Sequence, residues 1–458
     1  MSESKTFRKR FSGGAAAKRE HQTKSNDDIE DILKGGDNQV EDEERSSVGH
    51  VQIRNQLNKA RRKRVEEDES KNVPGTQKIW VRTYGCSHNV SDSETMSGLL
   101  DAYGYELVSE QSEADLWLVN SCTVKDPSEA VFSNLVKKGK SQGKKIVIAG
   151  CVPQGDSQIF PDTSVVGVHS LGRVVEVVEE TLRGNVIRLL QTKKRLPSLT
   201  LPKIRRNPLV EIVPLSTGCL RSCTYCKTKH ARGVLGSYPP DEILKRVEQS
   251  IREGVTEIWL SSEDTGAYGR DINETLPKLL NSITGVLDKH ADKYPNVMLR
   301  VGMTNPPFIL DHLDEIAKIL SHPRVFSWLH VPVQSGSDKV LKRMNREYTS
   351  SEFMRVADFL KARIPEVIIA TDIICGFPGE SEEDFQDTMR MVQKYQFGIM
   401  NISQFYPRPG MFLTMFSVFR DVFRNTNTHK LYRYTRGKDE KSRHENSERS
   451  QSTSYKTF

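Results

Sequence analysis

The stretch Leu209-Val-Glu-Ile-Val-Pro-Leu-Ser-Thr-Gly-Cys-Leu-Arg-Ser-Cys-Thr-Tyr-Cys226 decides the fold. Its first half is rich in branched apolar residues and reads as a strand; its second half is a tight loop carrying Cys219, Cys223 and Cys226. Downstream, strand-like runs recur at 210–215, 256–260, 297–302, 326–333, 366–374 and 399–405, with helical patterns clearest at 240–252, 311–321, 351–362 and 381–395. Six such repeats predict an open or partial TIM-type (β/α)6 barrel, whose site lies at the C-terminal ends of its strands.

Upstream, a second α/β series is legible. Lys78-Ile-Trp-Val-Arg-Thr83 reads as a strand ending at Tyr84-Gly85-Cys86. Ser91 and Glu94 have the spacing of a capping box, with Met96, Leu99, Leu100 and Tyr103 on one helical face behind them. A strand over Ala114–Asn120 ends at Ser121-Cys122, and after a helix at 127–139 another over Lys145–Ala149 ends at Gly150-Cys151. Val165–His169 predicts a fourth strand, before a helix presenting Leu171, Val174, Val175, Val178 and Leu182. This alternation predicts a doubly wound parallel sheet over 75–186. The C-terminal ends of its strands share one edge, so Cys86, Cys122 and Cys151 are expected to converge there as ligands.

The chain has 458 residues, 67 Lys and Arg against 60 Asp and Glu, seven cysteines and 36% hydrophobic residues. No apolar run approaches the roughly 20 residues of a membrane span, and the start lacks a signal-peptide core. Seven scattered cysteines fit reduced thiols or metal ligands better than a disulfide framework. Residues 1–74 alternate blocks of opposite charge, Arg61–Arg64 among them, and are expected to be disordered. Residues 187–207 read as a basic linker in which Lys203, Arg205 and Arg206 could meet nucleic-acid phosphates. From 411 onward there are 10 positive and five negative charges, and 426–458 is expected to be a disordered basic tail.

The loop at 219–226 has the spacing C-x3-C-x2-C with an aromatic before the last cysteine. Three thiolates on one loop can hold three irons of a [4Fe–4S] cluster and leave the fourth open. A structural zinc ion would want a fourth protein ligand, for which His230 is a weak candidate. Cys375 reads as a small core residue, and His330 as a hydrogen-bonded core histidine.

The loop resembles that of the radical S-adenosylmethionine superfamily. Its pairing with an upstream three-cysteine domain resembles the methylthiotransferases, from about Gln77 to Gly410. The motifs are Thr83–Asn89, Asn120–Val124, Ala149–Pro153, Cys226-Lys-Thr-Lys-His-Ala-Arg-Gly233, Ser262–Gly269, Gly302–Pro307, His330–Ser337, Gly376–Glu380 and Tyr406–Gly410. The Cys226–Gly233 stretch is similar to the eukaryotic and archaeal branch that acts on threonylcarbamoyladenosine in tRNA.

The resemblance implies a second [4Fe–4S] cluster on Cys86, Cys122 and Cys151 that takes part in supplying sulfur. It implies a radical S-adenosylmethionine core over 208–425, with S-adenosylmethionine bound at Cys219, Cys223 and Cys226 and contacted by Glu263, Asp264, Gln334 and Ser335. It further implies a tRNA anticodon stem-loop as substrate, an electron-donor protein, and a cytoplasmic, monomeric chain. An impaired iron–sulfur isoform and a protein acceptor are the alternative readings. Met411 stands where the family has Thr, and no segment resembling its tRNA-gripping β-barrel (TRAM) domain follows, which predicts a weaker hold on tRNA.

Overall fold

The computed structural model describes residues 75–123, 126–190 and 196–406, with Lys430, Leu431 and Tyr434. The charged N-terminal segment with Arg61–Arg64, the Lys193–Arg195 run and the tail from 411, those three residues apart, lie outside the described residues.

The first sheet is parallel throughout, in the order β2-β1-β3-β4-β5-β6. Its strands are β1 (Lys78–Thr83), β2 (Glu106–Val108), β3 (Leu116–Ser121), β4 (Lys145–Gly150), β5 (Ser164–Val166) and β6 (Arg188–Leu189). Both faces are covered, as a parallel sheet requires. Ile79, Leu116, Leu118 and Val147 pack with Met96, Leu100, Val174 and Val178 on one side. Trp117, Val119, Ile146 and Ile148 pack with Phe132 and Val136 on the other. β6 falls in the stretch read as linker and pairs with β5, so the sheet extends past residue 186.

The helix after β1 corrects one expectation. It spans Ser87–Tyr103 with Cys86 at its N-cap, so Ser91 and Glu94 lie inside it rather than in a capping box. Tertiary contacts use both side chains. The Ser91 hydroxyl donates to the carbonyl of Ile212 at 3.2 Å, and Glu94 accepts from the Arg206 amide at 2.9 Å. The presumed linker is thereby fastened along this helix, and Ile204 N–H donates to the Glu94 carbonyl.

The second half-barrel comprises β7 (Val210–Pro214), β10 (Glu257–Ser261), β11 (Met298–Arg300), β12 (Trp328–His330), β13 (Ile368–Cys375) and β14 (Ile399–Gln404). A two-stranded antiparallel pair, β8 (Ser216–Thr217) and β9 (Gly236–Ser237), flanks the cysteine loop. β7, β10 and β11 form one parallel sheet and β12, β13 and β14 another; a parallel bridge from Leu299 to Val325 joins them. β12 is shorter than the apolar run 326–333 suggests, because Pro332 has no N–H to give a ladder. Helices at Pro240–Arg252, Leu276–Lys289, Leu313–Leu320, Ser350–Arg363 and Glu382–Tyr395 cover the outer face. Ile258, Leu260, Leu299, Leu329, Ile369 and Ile373 are buried in the core, which includes Cys375 as a small buried residue.

An ion-pair centre joins the two parts. Glu211 on β7 is fully buried and meets Lys203 Nζ at 2.9 Å, Arg205 Nε at 2.6 Å and Arg246 Nη2 at 2.9 Å. Burial disfavours its charge, but these three cations outweigh it and hold its pKa at about 2.

Candidate metal centre

β1, β3 and β4 are consecutive in the sheet, with Thr83 opposite Asn120 and Ser121 opposite Gly150. Cys86, Cys122 and Cys151 leave these three ends side by side, as the topology argument expects. The approach is close: a Cβ added at Gly85, whose φ is +102°, would lie 2.2 Å from Cys122 Cβ and 2.4 Å from its sulfur. Only glycine is accommodated there. Asn89 adds a polar wall, 3.7 Å from Cys151 Sγ through Oδ1 while its amide nitrogen donates to the carbonyls of Tyr84 and Ser121.

The thiols are electrostatically unequal. A hydrogen bond with Cys122 lowers the pKa of the exposed Cys86 thiol to about 6, and the charges of Arg232 and His88 add to the effect. Burial pushes Cys151 up to about 11, with Arg232 opposing. Arg232 belongs to the other domain, in a short helix at Thr228–Arg232. Its Nε donates to Cys151 Sγ at 3.3 Å, and its Nη2 to Asn89 Oδ1 at 2.8 Å and Asp92 Oδ2 at 2.6 Å. Its Nε also lies 3.1 Å from Glu263 Oε1, which in turn is 3.2 Å from His88 Nδ1. Burial and Arg232 act against protonation of His88, but Glu263 and Asp92 prevail and raise its pKa.

The second trio sits on one loop. Cys219 N–H donates to the Gly233 carbonyl at 3.1 Å, and Cys226 N–H to Cys223 at 3.2 Å. Thr224 is tied by its amide to Met344 and by its hydroxyl to Arg343, and Asn345 donates to the Ser222 carbonyl at 2.8 Å. Arg346 Nη1 donates to Cys223 Sγ at 3.2 Å, while the backbone N–H of Thr228 donates to Cys226 Sγ at 3.4 Å. Burial pushes Cys219 up to about 12. Guanidinium and amide donors aimed at sulfur suit thiolates, the form in which cysteine ligates metal. Both trios therefore fit anionic sulfur ligands, although among the described residues no group of three His, Cys, Asp or Glu closes on a single ion.

The four expected cofactor contacts divide. Glu263 is half-buried, and its buried Oε2 has no hydrogen-bond partner, leaving an acceptor for a donor such as an ammonium group. Burial raises Asp264 to about 6 against the hydrogen bonds from Asn305, one of them 2.6 Å from the side-chain amide. Gln334 has φ +68° at the strand end, where its backbone bridges Asp372 and Ile374. Ser335 does not fit: it is fully buried, with its hydroxyl 3.3 Å from that of Thr388 and accepting from the Ser337 amide.

The phosphate-binding expectation also needs correction. Lys203 and Arg205 spend their charge on buried Glu211, and Arg205 also pairs with Glu253, so neither is free to meet a polyanion. Of the three, Arg206 alone has an exposed side chain. His330 is half-buried rather than core, hydrogen-bonded to Asp372 Oδ1 at 2.9 Å.

Sequence reasoning missed Arg232, although it lies in a quoted motif; its reach across the domains had no local signal. It missed Arg221 as well. That side chain is 1% exposed, none of its three nitrogens has a hydrogen-bond partner, and it lies over the rings of Phe308 and Tyr348 at 5.0 and 5.7 Å.

Residues 213–392 match the Radical SAM superfamily, and residues 78–168 match the uncharacterized protein family UPF0004. The threonylcarbamoyladenosine tRNA methylthiotransferase of Homo sapiens is 54% identical over 395 residues, covering 84% of this chain and 67% of that protein. That of Drosophila melanogaster is 58% identical over 347 residues, covering 74% and 62%. A probable one from Pyrococcus abyssi is 39% identical over 337 residues, covering 73% and 78%. The chain thus spans about two thirds of the length of its animal relatives. Among solved structures, the radical S-adenosylmethionine methyltransferase TsrM from Kitasatospora setae superposes with a TM-score of 0.50 at 12% identity, covering 72% of this chain and 73% of that one. At that identity it speaks for the fold alone, and the α/β architecture with a radical S-adenosylmethionine barrel agrees with it. This sequence kinship establishes that the chain belongs to the threonylcarbamoyladenosine tRNA methylthiotransferase family.

Proposed function

We propose that this chain is a tRNA methylthiotransferase that converts N6-threonylcarbamoyladenosine beside the anticodon to its 2-methylthio derivative. In this reading each thiol trio holds one [4Fe–4S] cluster, and S-adenosylmethionine binds at the barrel trio beside Glu263 and Asp264. The observation that carries the reading is the chain of buried polar groups leading from one trio toward the other: Cys151 to Arg232, Arg232 to Glu263, and Glu263 next in chain to Asp264, whose charge acts on Cys219. Two sulfur-rich edges joined by buried charge can serve one substrate atom in turn.

When bound, the barrel cluster and S-adenosylmethionine supply radical abstraction of hydrogen from C2, which no acid or base achieves near neutral pH. The protein's own work is positional. Arg232 locks the edge of the first sheet against the barrel, and Arg346 holds Cys223 together with Asn305. The free oxygen of Glu263 is placed to orient an ammonium group. An electron-donor protein is required for the reductive step, and the reading takes the chain as a cytoplasmic monomer. No helix among the described residues is long and apolar enough to cross a membrane.

The test is anaerobic reconstitution followed by nucleoside mass analysis. About eight irons per chain are expected if both trios hold four-iron clusters. Incubation with reductant, S-adenosylmethionine and tRNA bearing threonylcarbamoyladenosine should yield the 2-methylthio nucleoside. Iron-loaded protein that cleaves S-adenosylmethionine but never marks this tRNA would overturn the substrate assignment.

A further inference from the structure

The inner face of the half-barrel differs in kind from the outer one. Along each strand the residues that alternate with the helix-covered core are Trp259, Arg300, Trp328, His330, Asp372 and Asn401. None of them is fully buried, and Asn401 is exposed. Trp259 and Arg300 are register partners on β10 and β11. The Arg300 guanidinium lies 4.6 Å from the Trp259 ring centre and 4.0 Å from that of Trp328, so it is held between two indoles. The Trp259 indole N–H is fixed by Glu257 at 2.7 Å. On the facing strands His330 meets Asp372 Oδ1 at 2.9 Å, and Asn401 donates to the same oxygen at 2.8 Å.

Arg300 itself has no hydrogen bond or ion pair among the described residues. Burial lowers its pKa, and the charge of Glu257, whose carboxylate accepts from the Trp259 indole, opposes that shift without pairing with the guanidinium. Five N–H donors on a half-buried cation call for a planar anion, and a carboxylate matches that fork bidentately. The flanking indoles supply flat surfaces of the kind on which a nucleobase stacks.

Resting on the function proposed above, we propose that Arg300, clasped by Trp259 and Trp328, binds the carboxylate of the threonylcarbamoyl group inside the half-barrel. Position supports this placement. C2 of the adenine must face the barrel trio, and the tail on N6 is carried by a ring carbon only two bonds from C2, so its carboxylate stays in the same cavity. Arg300 is the last residue of β11, at the C-terminal strand ends where a barrel carries its site. Asn305, which touches Asp264 and Arg346 beside the cysteine loop, is five residues further along, no more than roughly 18 Å at full extension. The site would thus read the acidic tail of an already modified adenosine before the methylthio group is added.

The experiment measures binding of anticodon stem-loop RNA to the reconstituted full chain without S-adenosylmethionine, so that the only carboxylate present comes from the RNA. Three RNAs are compared: one with unmodified adenosine, one with threonylcarbamoyladenosine, and one with the methyl ester of that group. The acid form should bind wild-type protein about tenfold or more tighter than the other two. In Arg300→Gln that preference should collapse toward unity, and Arg300→Lys should restore part of it. The ester comparison uses unaltered protein and so survives a variant that fails to fold. Equal binding of acid and ester by wild type, or an undiminished preference in Arg300→Gln, overturns the inference. Absence of the 2-methylthio product with wild type overturns the functional reading instead, and the two failures are read by separate measurements.

Discussion

The two thiol trios are assembled by opposite routes. Cys219, Cys223 and Cys226 lie within eight residues on one loop, tied down by the backbone of Met344 and the side chain of Asn345. Cys86, Cys122 and Cys151 are spread over 66 residues and meet only because β1, β3 and β4 are neighbours in a parallel sheet. The first trio is written into local chain geometry; the second exists only once the sheet has formed. The second also borrows a partner, since Arg232 reaches it from the barrel domain. A local site should tolerate distant damage, and a topological one should not.

The most drastic way to separate them is to remove one sulfur from each. Cys223→Ala should halve the iron, from about eight to about four per chain, and abolish release of 5′-deoxyadenosine. Cys122→Ala should lose the same amount of iron yet still release 5′-deoxyadenosine. Neither should form the methylthio nucleoside. Product from Cys122→Ala would show that the sheet-edge trio is dispensable, and the comparison would fail.

Arg232→Gln tests the borrowed partner. Asp92 would remain buried without its cation and Glu263 would keep only His88, a loss of about 3–5 kcal/mol in denaturant melts. Iron at the sheet edge should fall while the loop trio keeps its share, visible as partial loss of cluster absorbance. Equal loss at both trios would mean that Arg232 supports the whole fold rather than one edge.

The joint between the domains has its own pH signature. Glu211 titrates at about 2 in the folded chain against an ordinary value near 4.5. Its contribution is therefore complete above pH 4.5 and is lost as pH falls toward 2. The difference is on the order of 3 kcal/mol. Urea midpoints for wild type should drop through that acid window, whereas Glu211→Gln should start lower at neutral pH and change less on acidification. Parallel curves would show that the three cations around Glu211 do not depend on its charge.

The same contrast governs what could be read from the chain. β1 and the helix Pro240–Arg252 match the pattern to the residue, because apolar period and flanking breakers act locally. The meeting of Cys86, Cys122 and Cys151 was legible because parallel topology places strand ends together. Ser91 misled: serine three residues before glutamate is a capping signal only if no tertiary partner claims both, and here Ile212 and Arg206 do. Lys203 and Arg205 looked like phosphate ligands because sequence shows charge but not the buried Glu211 that uses it. The Trp259–Arg300–Trp328 stack spans three strands, and no window of the chain contains it.

The finest test of the contrast uses the glycine that precedes the first cysteine of each trio. Gly85 has φ +102° and Gly218 φ +79°, both left-handed, so alanine is strained at either by about 1–3 kcal/mol. The obstacles differ. At Gly85 the new methyl would strike Cys122 itself, 2.2 Å from its Cβ, whereas at Gly218 it would strike the backbone carbonyl of Val234 at 2.3 Å. Gly85→Ala should therefore displace Cys122 directly, reducing sheet-edge iron while lowering the melting temperature by no more than that backbone strain accounts for. Gly218→Ala must push apart the β8–β9 pair that seats the cysteine loop, and the backbone there has no side-chain rotation to relieve the clash. It should lower both the melting temperature and the yield of 5′-deoxyadenosine, with sheet-edge iron retained. If the two variants behaved alike, the distinction between a trio made by the loop and one made by the sheet would lose its physical basis.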